Sequence, residues 1–279
     1  MSDAVTVHIE QGVADVRLNR PEKLNALNGD VIAGLIEAGD RLAQDPSVRA
    51  VVLSGEGRAF CAGLDFSGFQ AMAGVSAGPG NPSGAGDGQN LGGIAQIEEG
   101  RITHGGQQAA HTWSEVPVPV IAAIQGPCLG GGLQIALGAD IRIVHPEAKL
   151  SVLEIRWGLS PDMTGTATLG RLVGPDVAKE LAWTGRMVSG EEAVRLGLAT
   201  RTSESPLLDA QALAAEIAGR SPHAVRGIKH LVDLAGTVGL AEQYAEERRV
   251  IGSLVGSPNQ VEAVTAYFEK REPAFADPD

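Results

Sequence analysis

Aromatic side chains are scarce. Phe, Trp and Tyr together make up 4% of the 279 residues, so the interior has to be packed from Ala, Val, Leu and Ile. Cysteine is rarer still, with only Cys61 and Cys128, far apart in sequence and with no metal-ligand spacing. A chain this long needs no disulfide staples, and both thiols read as small apolar core residues in a reducing compartment. Basic charge is in deficit: 22 Lys and Arg against 34 Asp and Glu leave a net charge of -12. That excludes the basic footprint of a nucleic-acid binder, although a few local Lys and Arg suffice for a phosphate-bearing small ligand. No apolar run reaches the length of a membrane span. The opening "MSDAVTVHIEQG" lacks the basic-then-apolar order of a secretion signal, so a cytoplasmic protein is expected. What remains is an ordinary globular composition, 43% hydrophobic and 20% charged, long enough for one large domain or two modest ones.

"AVTVHIE" and "VADVRL" alternate apolar and polar residues across "QG", which predicts a β-hairpin. Asn28 is placed to cap a helix over roughly residues 29 to 43. "AVVLSG", "PVPVIAAIQG" and "ADIRIVHPEAKLS" are continuous apolar runs, the pattern of strands buried on both faces, and they alternate with helical segments. The fold class expected is α/β. Residues 70 to 110 begin rich in Gly, Ser, Pro and Ala. That stretch reads as a loop, either simply mobile or a lid beside a site. Within it "IAQIEEGRI" has the look of a helix start, and "HGGQQAAHTWSEV" of a helix leading into the next strand. After residue 200 the chain turns into amphipathic helices. This divides it into an α/β core over 1–200 and a helical region over 201–279, whose helices can pack on their own core or on a neighbouring subunit.

Two stretches carry chemistry. In "AFCAGLDF", residues 59 to 66, Gly63 and its small neighbours permit a tight turn with outward N–H groups. In "LGGGLQIAL", Gly130, Gly131 and Gly132 lead into a helix, whose first N–H groups are unsatisfied and partly positive. Two such N–H groups converging on one oxygen form an oxyanion hole, suited to an enolate made from a thioester. The competing reading of three glycines before a helix is close packing.

Together, and in this order, these stretches resemble the crotonase superfamily, the enoyl-CoA hydratase/isomerase family. The likeness extends to "RPEKLNALN", "GEGRAFCAGLDF", "PVIAAIQGPCLGGGLQIALGADIRI", "LEIRWGLSPDMTGTATLGRLVG", "LAWTGRMVSGEEAVRLGLAT" and "YFEKREPAF", and so covers nearly the whole chain. The resemblance implies a crotonase-type spiral ββα core, a C-terminal helical region used in trimer contacts, often hexamers of two trimers, and a bent acyl-CoA ligand. It implies oxyanion donors at the backbone N–H of Leu64 and Gly131. It also implies coenzyme A contacts around Lys23, Leu24 and Ala26, around Ala62, Asp65 and Phe66, and at Phe268 and Lys270, sometimes from another subunit. Each has a plain alternative: solvated lysines at 23 and 270, and a core residue at Phe268.

Hydratases of this family use two glutamates 20 residues apart to hold and activate water. Here the second position is Glu154 and the first is Gln134. A carboxamide orients water but neither takes up nor releases a proton near neutral pH. Losing one of two proton-transfer groups typically costs about 10²–10⁴-fold. Moving a C=C bond along an acyl chain needs one base, and family members that do so manage with a glutamate matching Glu154. Dienoyl-CoA isomerases add an Asp eight residues later, matched by Asp162, which can equally cap the helix that follows. An ion pair with Arg156 is the structural alternative for Glu154, and Arg156 and Trp157 are placed to narrow or polarise an acyl pocket. His104 and His111 have no nucleophile to pair with, and "GAGDG" lacks dinucleotide-site context. No metal is expected, and no cofactor beyond the coenzyme A of the substrate. The expected activity is acyl-CoA double-bond isomerisation. Hydration with Gln134 as a passive water holder and acyl-CoA binding without turnover are the alternatives.

Overall fold

In the computed structural model, residues 3–65, 97 and 100–278 are described. β1 (Val5–Glu10) and β2 (Val13–Leu18) form the predicted antiparallel hairpin, and β2 buries its alternate residues Ala14, Val16 and Leu18. β3 (Ala50–Gly55), β4 (Val120–Ile124), β6 (Ile141–Val144) and β9 (Arg201–Thr202) continue the sheet in parallel, in the order β1-β2-β3-β4-β6-β9. Every residue of β3 and β4 is buried, because both faces of the sheet are covered.

The two faces have different partners. Val51, Leu53, Val120, Ala122 and Ile124 point into the main core with Leu35, Trp113 and Leu133. The alternate residues Ala50, Val52, Ile121, Ala123 and Ile143 meet Ala210 and Ala214 of α7 (Pro206–Ala218). Small alanines let that helix lie close to the strands. Leu35 belongs to α1 (Gly29–Gln44), which starts where Asn28 accepts a hydrogen bond from the Val31 N–H, the cap read from sequence. Trp113 belongs to α2 (Gly105–Glu115).

A second sheet is built from the short strands β5 (Pro127–Leu129), β7 (Lys149–Ser151) and β8 (Val188–Ser189), of which β5 follows β4 and β7 follows β6. Thus β4 leads to β5 and then α3 (Gly131–Leu137). In the same way β6 leads to β7, a 3₁₀ turn (Glu154–Trp157) and α4 (Gly165–Val173). This repeated strand–strand–helix winding is the spiral that the motifs implied. Cys61 joins the second sheet through a bridge to Cys128. Both cysteines are free and buried, and burial pushes the Cys61 thiol up to about 12, so they act as small core residues.

α5 (Pro175–Thr184) and α6 (Gly190–Leu196) complete the core region. α8 (Pro222–Leu234), α9 (Leu240–Leu254) and α10 (Pro258–Glu269) follow α7. α8 is pinned by buried Lys229, whose Nζ donates to Asp140 at 2.8 Å and to the Val118 carbonyl at 3.2 Å. The outer faces of these helices expose Ile228, Val232, Leu240, Tyr244, Ile251 and Tyr267. The helix start read in "IAQIEEGRI" is not what forms at Ile97, which makes an isolated antiparallel bridge with His104. Most of the Gly-rich stretch lies outside the described residues. Among those described, no helix is long and apolar enough to cross a membrane.

Candidate active site

Two glycine turns meet beside α3. Gly63 has φ 91°, and a Cβ there would come within 3.0 Å of the Leu129 carbonyl oxygen, so the position needs glycine on both counts. The Leu27 N–H donates to the Gly63 carbonyl at 2.7 Å, and the Asp65 N–H donates to the Leu27 carbonyl at 2.8 Å. A trans peptide holds its C=O and N–H on opposite sides of one plane. Fixing the Gly63 carbonyl on Leu27 therefore turns the Leu64 N–H away from that strand. On the other side runs β5, whose Leu129 N–H donates to the Cys61 carbonyl at 2.9 Å and which leads into the second turn.

That turn is Gly130, with φ 53° and ψ −124°, followed by Gly131 as the first residue of α3. A Cβ on Gly131 would lie 2.8 Å from both Leu27 Cδ1 and Met163 Sδ, which border the turn. Among the described residues, no hydrogen bond occupies the N–H of Leu64 or of Gly131. Both residues are half-buried.

Glu154 stands next to this turn, its Oε1 3.4 Å from where a Gly130 Cβ would be. It has no ion pair with Arg156. Its partner is buried Gln134, whose Nε2 donates to Glu154 Oε1 at 2.7 Å. The carboxamide orientation is set by its other end, where Gln134 Oε1 accepts the N–H groups of Met163 at 2.9 Å and Gly165 at 3.1 Å. Glu154 Oε2 is buried and has no hydrogen-bond partner among the described residues. Desolvation pushes the Glu154 carboxyl above its ordinary range; the Gln134 hydrogen bond pulls the other way, and the negative Asp162 adds to the rise.

Asp162 is exposed and does not cap α4. That helix begins after Thr164, which makes no side-chain cap bond, and the N–H groups at its start are taken by Gln134 from a different helix. Capping was one of the two readings of Asp162 left open by the sequence, and a longer-range bond from Gln134 takes that place instead. The one signal for this was a lone polar residue in an apolar helix.

Leu24 and Ala26 lie against Ala62 and Asp65: the Ala62 N–H donates to the Leu24 carbonyl at 2.9 Å, and the Arg20 guanidinium joins the Ala26 carbonyl at 2.6 Å to the Asp65 carboxylate at 3.1 Å. Arg20 was not singled out from sequence. Lys23 is exposed at the rim of this cluster, and Phe66 lies outside the described residues. Phe268 and Lys270 lie at the end of α10, with Phe268 exposed and edge-on to Tyr267 at 5.6 Å. His104 caps α2 in a capping box with Gln107, which accounts for it structurally. A small cavity beside the Gln134–Glu154 pair is lined by Gly130, Leu133, Gln134, Leu137, Val152 and Pro161, among others. Arg156 and Trp157, at the end of the 3₁₀ turn that Glu154 starts, are exposed. Among the described residues, no group of three or more His, Cys, Asp and Glu could hold a metal ion.

A family profile described as enoyl-CoA hydratase/isomerase matches residues 8–278. A protein of Bacillus subtilis strain 168 named "Probable enoyl-CoA hydratase" is 31% identical over 276 residues, 98% of each chain. One of Mycobacterium tuberculosis, "Probable enoyl-CoA hydratase echA8", is 33% identical over 281 residues, again 98% of each. Among solved structures, the enoyl-CoA hydratase from Bacillus anthracis superposes with a TM-score of 0.82 at 29% identity, covering 98% of both chains. That from Polaromonas sp. JS666 superposes with 0.83 at 29%, covering 98% of this chain and all of the other.

Proposed function

Since the chain belongs to the enoyl-CoA hydratase/isomerase family of the crotonase superfamily, we propose that it is the member type that moves a C=C bond along an acyl-CoA thioester, with Glu154 as its single proton carrier. Glu154 removes a proton from C2 of a 3-enoyl-CoA. The electron pair passes into the thioester carbonyl, and the dienolate oxygen is held by the N–H groups of Leu64 and Gly131. Glu154 then returns the proton to C4, leaving the double bond between C2 and C3.

One observation carries this reading. The Gln134 carboxamide is locked, with both lone pairs of its oxygen engaged by Met163 and Gly165, so only N–H donors face Glu154. Such a group holds a carboxylate in place and does no acid–base work. Hydration asks for one group to activate water and another to protonate carbon. Glu154 has a raised proton affinity, which matches a base whose conjugate acid must give its proton back. Asp162 serves as a charged neighbour that tunes this affinity.

The test is incubation of the purified protein with 3-enoyl-CoA and with 2,5- and 3,5-dienoyl-CoA. A double-bond shift that falls about 10²–10⁴-fold in Glu154→Gln is expected. No shift with any of them, at saturating substrate, overturns the proposal. A second reading, hydration of 2-enoyl-CoA with Gln134 as a passive water holder, is favoured by the printed names of the relatives. It predicts loss of the crotonyl-CoA enoyl absorbance, dependent on Glu154.

The ligand reading extends to coenzyme A lying along Lys23, Leu24, Ala26, Ala62, Asp65 and Phe66, with Phe268 and Lys270 contributed across subunits. Both are exposed at the end of α10, which fits that role. The exposed apolar faces of α8, α9 and α10 support assembly as a homotrimer or a pair of trimers, which sedimentation velocity decides. Coenzyme A enters only as part of the substrate, and the reaction is placed in the cytoplasm.

A further inference from the structure

We propose that Arg20 is a positioning residue that aims and polarises the Leu64 N–H through a relay of two peptide groups; the inference rests on that N–H being a thioester donor. The Arg20 guanidinium donates to the Ala26 carbonyl at 2.6 Å. That carbonyl shares its peptide plane with the Leu27 N–H, which donates to the Gly63 carbonyl at 2.7 Å. The Gly63 carbonyl in turn shares its plane with the Leu64 N–H. The sequence of contacts is cation, peptide, peptide, and then the oxygen to be stabilised.

Each peptide in the relay has its C=O and N–H antiparallel, so a positive charge at the first carbonyl reinforces both dipoles in the same direction. Hydrogen bonds in such chains strengthen one another by about 10–30% per bond. The effect is greatest away from bulk water, and the Arg20 side chain is only 19% exposed. The relay also sets direction, since tilting the Ala26–Leu27 peptide swings the Gly63–Leu64 peptide with it.

The rest of the local structure serves to hold Arg20 still. Its guanidinium reaches Asp65 at 3.1 Å, so the fork spans Ala26 and Asp65, which flank the bridged pair Leu27 and Leu64. Its own N–H is held at 2.8 Å by Asn25. Asn25 is fully buried and donates to the carbonyls of Glu56 and Ala59. A guanidinium fork satisfies two acceptors at a fixed angle, which an ammonium does not.

The experiment reads carbonyl polarisation directly. A 3-aryl-2-enoyl-CoA, bound but not turned over, absorbs further to the red as its thioester carbonyl is pulled toward an enolate. Wild type, Arg20→Gln and Arg20→Lys are compared for this red shift, for kcat and KM, and for thermal stability. Removing a whole oxyanion donor costs about 10²–10³ in kcat. Misaiming one is expected to cost about tenfold in Arg20→Gln, with a smaller red shift and KM changed less than kcat, and Arg20→Lys is expected to fall between. Should Arg20→Gln not fold, Arg20→Lys carries the test with the same two readouts. A variant with lowered thermal stability but wild-type kcat and red shift would show Arg20 to be only a brace, and the proposal fails. If wild type itself shows no red shift with the probe bound, it is the Leu64–Gly131 reading that fails.

Discussion

Replacing Gln134 with glutamate puts a second carboxyl where the carboxamide nitrogen now sits, 2.7 Å from Glu154 Oε1. Two carboxylates at that separation, with an effective dielectric of about 20, repel by about 6 kcal/mol, which divides their two proton affinities by a factor of roughly 10⁴. The pair then holds one proton across neutral pH. Its location follows from the surroundings. The new carboxylate keeps the N–H groups of Met163 and Gly165, which favour its charged form, whereas Glu154 is desolvated. The proton therefore stays on Glu154, and residue 134 becomes the base. Isomerisation, which needs Glu154 unprotonated, is expected to fall at least tenfold at pH 7, while hydration of crotonyl-CoA rises by about 10²–10⁴-fold. Both are followed by the 2-enoyl absorbance, with 3-enoyl-CoA and crotonyl-CoA as the two substrates. A Gln134→Glu protein that isomerises as well as wild type and adds no water would refute the reasoning, because the carboxamide would then be irrelevant to which reaction occurs.

Gly131→Ala is expected to retain the fold by circular dichroism but to lose about 10²-fold in kcat, since its Cβ would meet Leu27 Cδ1 and Met163 Sδ at 2.8 Å and shift the turn that carries a donor. Isomerase kcat/KM should rise with pH through an apparent value above the ordinary carboxylate 4.5, because Glu154 must be ionised and burial opposes that; a profile flat from pH 5 to 8 with a step below 4.5 would contradict the burial effect. The same raised affinity means the folded protein binds more protons at Glu154 than the unfolded chain, so this group's contribution to stability is fully present below the unfolded value and is lost as pH rises through the folded one. Glu154→Gln should therefore melt no lower than wild type at pH 7, with any advantage disappearing in acid. Lys229→Met removes the Nζ that donates to Asp140 and to the Val118 carbonyl; because Asp140 is exposed and stays hydrated, the expected cost is about 2 kcal/mol by chemical denaturation.

The parts legible in the sequence are those whose cause is local. The hairpin follows from period-two alternation in "VTVHIE" and "VADVRL", α1 from Asn28, and the buried strands from unbroken apolar runs. Gly63 and Gly130 were legible because both take positive φ, which favours glycine, with close approach to the Leu129 carbonyl added at Gly63; Leu64, Gly131 and Glu154 came only as positions that the family motifs imply. What stayed hidden depends on pairings across the fold. Gln134 reads as a lost catalytic carboxylate until Met163, Gly165 and Glu154 arrive from 20 to 31 positions away. Asp162 satisfies the local rule for a cap and is displaced by that same side chain. The alanines of α7 look like any helix face until the sheet covers them.

Arg20 belongs to this second class for a further reason: its function is carried by backbone, not by side chains. A motif names side chains, and "NRPEKLNALN" offers an arginine with no visible partner. Only the positions of the Ala26 and Gly63 carbonyls reveal that two peptide planes connect it to Leu64. In the proposed reaction, the Leu64 N–H and the Glu154 carboxylate are governed from opposite directions. A half-buried cation stands behind the Leu64 N–H, and a neutral carboxamide stands behind the carboxylate. On the proposed reading, reversing either charge choice changes what the same two glycine turns can do to a thioester, which places the expected control of reaction specificity one layer out from the atoms that react.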